Sequence, residues 1–229
     1  MNIAALFSGG KDSTFAIYEA KRLGHNVRCL ITIATPSAES HLLHHPNIAL
    51  TSLQAKSMKI PQITITADSA DTYKEIEALQ KALGQARAMY DIDGIVHGGI
   101  LSEFQKTKFE SVARSLGLSV IAPLWQKNQK QYMEQLIDSG FEFIITSVSC
   151  DGLDQSWLGK KITKEDLDTL EVLSKKHGFN LSFEGGEAET FVTNCPLFSA
   201  PVKIEESETA WDGYRGRFQI MRAGLKNNA

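Results

Sequence analysis

Six consecutive residues near the start of the chain, Ser8-Gly9-Gly10-Lys11-Asp12-Ser13, combine the types needed to hold an anion. Two glycines let the backbone curl and approach a phosphate with no Cβ in the way. The Ser8 and Ser13 hydroxyls are donors, and Lys11 brings a mobile positive charge. Asp12 is out of place beside a phosphate unless a divalent cation lies between them, as magnesium does in nucleotide sites. Asp12 is therefore the metal-binding candidate. The spacing is not that of a Walker A loop, because only Gly10 separates Gly9 from Lys11, nor is it G-x-G-x-x-G. A plain Gly-Gly turn with a helix cap would not need all six residues.

A second group lies far downstream, in Glu184-Gly185-Gly186-Glu187-Ala188-Glu189-Thr190. Carboxylates this close repel, so one is protonated more readily or the group takes a cation. Glu184 and Glu187 are the candidate catalytic carboxylates, whereas Glu189 alone reads as readily as a solvated acidic turn. A third stretch, Gly98-Gly99-Ile100-Leu101-Ser102-Glu103-Phe104-Gln105-Lys106-Thr107-Lys108, follows an apolar run. Lys106 or Lys108 can face a phosphate or a charged leaving group, or be an ordinary basic helix face. His44, His45 and His97 lack the cysteine or carboxylate spacing of a zinc site.

The elements that must position these groups alternate. Asn2–Phe7, Val27–Ala34, Ile63–Thr66, Gly94–His97 and Leu118–Ala122 read as strands. Ser13–Leu23, Ile48–Met58, Tyr73–Tyr90 and Glu103–Leu116 read as helices between them. The strands are continuous apolar runs, as in a parallel sheet covered on both faces. This predicts an α/β fold with an open doubly wound parallel sheet over residues 1–124, its ligands at the carboxyl ends of the strands. Residues 125–229 have a different rhythm and predict a smaller mixed α/β domain. It holds helices at Gln129–Ser139 and Lys164–His177, with strands at Phe141–Val148, Ala188–Thr193, Val202–Ser207 and Arg217–Arg222. Thr163 is positioned to cap the second helix with Asp166 three residues on.

Composition narrows the class. The chain has 229 residues, 42% hydrophobic and 22% charged, which excludes a disordered or low-complexity protein. A formal net charge of −3 disfavours binding to bulk nucleic acid. Cys29, Cys150 and Cys195 form no C-x-x-C pair and read as reduced thiols. No run approaches the roughly 18 apolar residues of a membrane span, so a cytoplasmic protein is expected.

Ser8–Ser13 resembles the pyrophosphate loop of the N-type ATP pyrophosphatases, with the adenine nucleotide α-hydrolase-like fold. With His44-His45-Pro46-Asn47, the Gly98–Lys108 stretch, Ala122-Pro123-Leu124-Trp125, Trp157-Leu158-Gly159, Glu184–Thr190 and Cys195-Pro196-Leu197-Phe198, the chain resembles the diphthine–ammonia ligase family almost end to end. Phe183 stands where that family usually has glycine, and Ala188 where it usually has tyrosine or phenylalanine.

The resemblance implies ATP with Mg2+ as cofactors, and Ser8, Gly9, Gly10, Lys11, Asp12, Ser13, His44, Gly98, Gln105 and Lys106 around the nucleotide. It implies catalytic roles for Lys11, Glu184 and Glu187. The substrate would be diphthine on translation elongation factor 2, adenylated with release of pyrophosphate and then amidated by free ammonium with release of AMP. A different N-type ATP pyrophosphatase, such as a tRNA-modifying enzyme, and a non-catalytic nucleotide-binding module are the alternatives.

Overall fold

The computed structural model describes residues 1–35, 47–69 and 71–226. His44 and His45 lie outside the described residues. Five strands, β1 (Asn2–Leu6), β2 (Asn26–Ala34), β3 (Gln62–Thr66), β4 (Gly94–Val96) and β5 (Ser119–Ile121), form a parallel sheet in the order β3-β2-β1-β4-β5. The order reverses between β1 and β4, so the ends of these two strands open the crevice where such sheets bind ligands.

Helices α1 (Lys11–Arg22) and α2 (Thr51–Met58) follow β1 and β2, and α3 (Thr72–Tyr90) and α4 (Glu103–Ser115) flank β4. Apolar side chains on both faces of the strands explain their unbroken runs: Ile3 and Ala5 join one core, and Ala4 and Leu6 the other. α1 starts at Lys11 rather than at the expected Ser13, so Lys11 and Asp12 belong to its first turn. The expected helix over Ile48–Met58 is a 3-10 turn at Ile48–Leu50 leading into α2, which Lys59 ends at φ 56°.

A four-stranded antiparallel sheet follows, built from β6 (Glu142–Val148), β7 (Ala188–Asn194), β8 (Val202–Trp211) and β9 (Gly216–Leu225) in the order β7-β6-β9-β8. β8 and β9 run further than expected and form one long ribbon. Helices α5 (Gln129–Asp138) and α6 (Lys164–His177) belong to this part. Thr163 and Asp166 form the reciprocal cap of α6, with the Asp166 amide donating to Thr163 Oγ1 and the Thr163 amide to Asp166 Oδ2.

One apolar core joins the two sheets across α1. Phe15 packs edge-on against Phe141 at 5.1 Å between ring centres and lies 5.8 Å from Tyr132 of α5. Aromatic pairs of this kind contribute about 0.5–1.5 kcal/mol each beyond area burial. They fix α1, and with it the loop before it, against the second sheet.

Candidate active site

The loop Ser8–Gly10 leaves β1 and enters α1 without a side-chain cap. Gly9 takes φ +81°, and a Cβ there would lie 2.4 Å from Gln54 Oε1. Its carbonyl is turned away from the crevice and accepts from Gln54 Nε2 at 2.9 Å and the Val192 amide at 3.0 Å. The Gly10 carbonyl accepts from the Thr14 hydroxyl at 2.7 Å and the Thr14 amide at 3.1 Å. The Lys11 amide donates to Thr190 Oγ1 of β7 at 3.1 Å. The amides of Gly10, Asp12 and Ser13 have no acceptor among the described residues. Carbonyls tied back and amides free at the positive end of a helix are the arrangement that can cradle an anion.

Gly98, just past β4, closes up against this turn. A Cβ on Gly98 would sit 2.5 Å from the Asp12 carbonyl carbon and 2.7 Å from the Ser13 nitrogen. Glycine is therefore required for the two strand ends to meet at the crevice.

A cavity of about 440 Å³ opens there, within the usual range for a small-molecule site. Ser8, Asp12, Ser13, Gly98 and Gln105 line it, and so do Glu184 and Glu189 from the second part of the chain. Its other wall is apolar, with Leu6, Ile31 and Ile33. His97 also faces it. The His97 ring is buried, its Nδ1 accepts from the Gly99 amide at 3.1 Å, and its buried Nε2 has no partner among the described residues. Burial, with the Lys106 charge nearby, pushes the His97 pKa down to about 4. The imidazole is thus neutral, with its remaining proton on Nε2.

Lys11 does not line the cavity. Its ammonium is buried beneath Asp12, donating to both Asp12 oxygens at 2.9 Å and to the Ser182 carbonyl at 2.6 Å. The rings of Phe183 and Tyr132 lie 5.6 and 5.9 Å from Nζ. Tyr132 Oη donates to Asp12 Oδ1 at 2.5 Å. Tyr132 is fully buried, and burial and the Asp12 charge push its pKa well above the usual tyrosine value. Lys106 is also absent from the cavity wall: its ammonium stacks 4.3 Å above Trp125 and stands 4.0 Å from Glu110 Oε1.

The acidic turn divides its labour. Glu187 does not face the cavity. Its carboxylate accepts from the Asn180 amide at 2.8 Å, Asn180 Nδ2 at 2.7 Å and the Gly185 amide at 2.8 Å. Glu187, one of the two expected catalytic carboxylates, therefore closes the turn in this structure, and Glu184 is the one of the pair at the cavity. Glu184 does face the cavity, with Oε1 accepting from the Ile100 and Leu101 amides at 2.8 and 3.2 Å. Burial, then Asp12, raise its pKa, while those two amides and Lys11 oppose the rise. Phe183 takes φ +61°, which explains why glycine suits this position.

Sequence reasoning missed Tyr132, Gln54 and Ser182. Each is a single ordinary residue in its own segment and meets the loop only through the fold. Among the described residues no group of three His, Cys, Asp or Glu side chains is placed to hold a metal ion, and no helix is long and apolar enough to cross a membrane.

The sheet order and the glycine-rich first crossover define a doubly wound α/β protein with a cavity at the switch point. Residues 1–120 match the diphthamide synthase N-terminal domain and residues 128–225 the diphthamide synthase C-terminal domain. The diphthine--ammonia ligase of Bos taurus is 33% identical over 226 residues, covering 91% of this chain and 84% of that protein. That of Homo sapiens is 32% identical with the same coverage. The Schizosaccharomyces pombe protein of that name is 31% identical, and the match spans 37% of its greater length. A solved structure described as a predicted subunit of tRNA methyltransferase from Methanocaldococcus jannaschii overlaps 86% of this chain and 98% of its own at a TM-score of 0.47 and 19% identity, too loose a match to bear on function. The chain belongs to the diphthamide synthase family and is an enzyme of the carbon–nitrogen ligase class.

Proposed function

We propose that this enzyme converts diphthine on translation elongation factor 2 to diphthamide, spending ATP and ammonium and releasing AMP and pyrophosphate. The observation that carries the reading is the meeting of the anion cradle and the acidic turn on one cavity, Asp12 and Ser13 on one side and Glu184 on the other. An amidation driven by ATP needs both: a place for phosphates and a place for a nitrogen cation.

The free amides of Gly10, Asp12 and Ser13 and the hydroxyls of Ser8 and Ser13 bind the β and γ phosphates. The apolar wall at Ile31 and Ile33 suits the base. Magnesium suits a site with one protein carboxylate, Asp12, because the ion keeps water and phosphate oxygens as its other ligands. When bound, it offsets phosphate charge. Lys11 acts through Asp12, fixing that carboxylate from below.

The diphthine carboxylate attacks the α phosphorus, the bond to pyrophosphate breaks, and the helix amides stabilise the departing charge. Ammonia then attacks the acyl carbon and AMP leaves. A thiolase reading finds no support in the cysteines. Burial pushes Cys29 and Cys195 up to about 12 and, aided by Glu187 and Asp151, Cys150 to about 11, so none is a ready thiolate.

The test is the product of turnover. With ATP, Mg2+, ammonium and diphthine-bearing elongation factor 2, the purified enzyme is expected to release AMP in step with amide formation. Release of ADP instead overturns the reading.

A further inference from the structure

The three glutamates around Gly185 and Gly186 are not equivalent. Glu187 is consumed by three inward hydrogen bonds, and one oxygen of Glu184 is held by two backbone amides. Glu189, on β7, lines the cavity, and neither of its oxygens accepts a hydrogen bond from any described residue. Its neighbour Thr190 is the residue that binds the Lys11 amide, so Glu189 is anchored within one residue of the anion cradle.

We propose that Glu189 is the catalytic proton acceptor for ammonium: its carboxylate holds the cation in the cavity, beside Asp12 and Glu184, and takes one proton from it. This rests on the amidation reading above and assigns the base within it.

The charges around Glu189 favour a cation. Lys11 and Asp12 of α1 face it and are paired with each other, and Glu184 faces it from the turn before β7. Ser147, its partner on β6, is uncharged, and Tyr132 of α5 donates to Asp12. Two carboxylates are left without a counter-charge, which a small cation supplies. Burial pushes the Glu189 carboxyl up to about 7; Lys11 opposes the shift, and Asp12 and Glu184 add to it. A group poised there takes a proton and returns it to water near neutral pH.

The step balances. Ammonium gives one proton to Glu189 and becomes ammonia. The nitrogen lone pair forms the C–N bond at the acyl carbon, and the carbon–oxygen bond to AMP breaks with its electrons on AMP. The surplus proton on nitrogen passes to solvent, and Glu189 is deprotonated in turn.

Hydroxylamine separates this role from others, because it is largely unprotonated at neutral pH and needs no base to become a nucleophile. In E189Q, AMP release driven by ammonium is expected to fall roughly 10²–10⁴-fold. AMP release driven by hydroxylamine is expected to stay within a few-fold of the parent enzyme. E189D, which keeps a shorter carboxylate, recovers part of the ammonium rate and covers the case in which E189Q folds poorly. If E189Q loses both rates equally, or neither, the assignment is wrong. If the parent enzyme yields no AMP with either nucleophile, the amidation reading itself fails and the assignment falls with it.

Discussion

The ammonium of Lys11 donates to the carbonyl of Ser182 at 2.6 Å, joining the first turn of the first helix to a residue 171 positions away. The lysine of the loop is thus a strut between the two sheets, with Asp12 as its other partner. A lysine that only gripped phosphate would be lost from activity alone. Lys11→Met is expected to lower the rate of AMP formation, because Asp12 loses the ammonium that fixes its carboxylate at the cavity. It is also expected to lower the melting temperature, because the Ser182 carbonyl loses this donor and the half-buried Asp12 keeps only Tyr132. Parallel rate and melting measurements check both halves, and an unchanged melting temperature refutes the strut.

Tyr132 tests the same network from the other side. Tyr132→Phe removes one hydroxyl from a fully buried ring and leaves Asp12 short of a donor. A hydrogen bond to a charged group contributes about 1.5–3 kcal/mol, so the melting temperature is expected to fall by roughly 3–12 °C for a chain of this size.

Gly98 is a test of close approach. A methyl group there would meet the backbone of Asp12 at 2.5 Å, and backbone cannot swing aside as a side chain can. Gly98→Ala is expected to lower nucleotide affinity at least 10-fold. Gly24→Ala is the control at a glycine with open space around it, where only the φ of +84° resists, and nucleotide affinity should be unchanged. Nucleotide titration of the two proteins decides the point.

Glu189 predicts a pH signature in stability. Its carboxyl rises from 4.5 to about 7 on folding. The folded state therefore binds more protons than the unfolded state between those values, and stability falls as pH rises through that window. Glu189→Gln abolishes this contribution. The variant is expected to be more stable than the parent at pH 8 and to converge with it below about pH 4.5. Thermal melts across pH 4–8 check the sign; equal slopes would refute it.

Much of this architecture was legible in the residues. The apolar runs of β1, β2 and β4 are buried on both faces, and that burial makes them read as parallel strands. The six-residue loop announced itself because its glycines and free amides lie in one contiguous stretch. The division of roles among Glu184, Glu187 and Glu189 was not legible. It depends on where Asn180, Ile100 and Leu101 place their amides, and nothing in a Glu-Gly-Gly-Glu string says which carboxylate they will engage. The inward fold of Lys11 was hidden for the same reason: Ser182 and Tyr132 are ordinary residues until the second sheet packs on α1. The loss of Lys106 to Trp125 is likewise a tertiary event, invisible in the basic run around it.

On the proposed function, the first crossover holds the phosphates of ATP. A crystal structure with Mg2+ and an ATP analogue that resists cleavage between the α and β phosphates tests it most directly. The β and γ phosphates should lie against the amides of Gly10, Asp12 and Ser13, with the base toward Ile31 and Ile33. A triphosphate bound away from α1, or a crevice closed to it by the Asp12 and Glu184 side chains, would contradict the account.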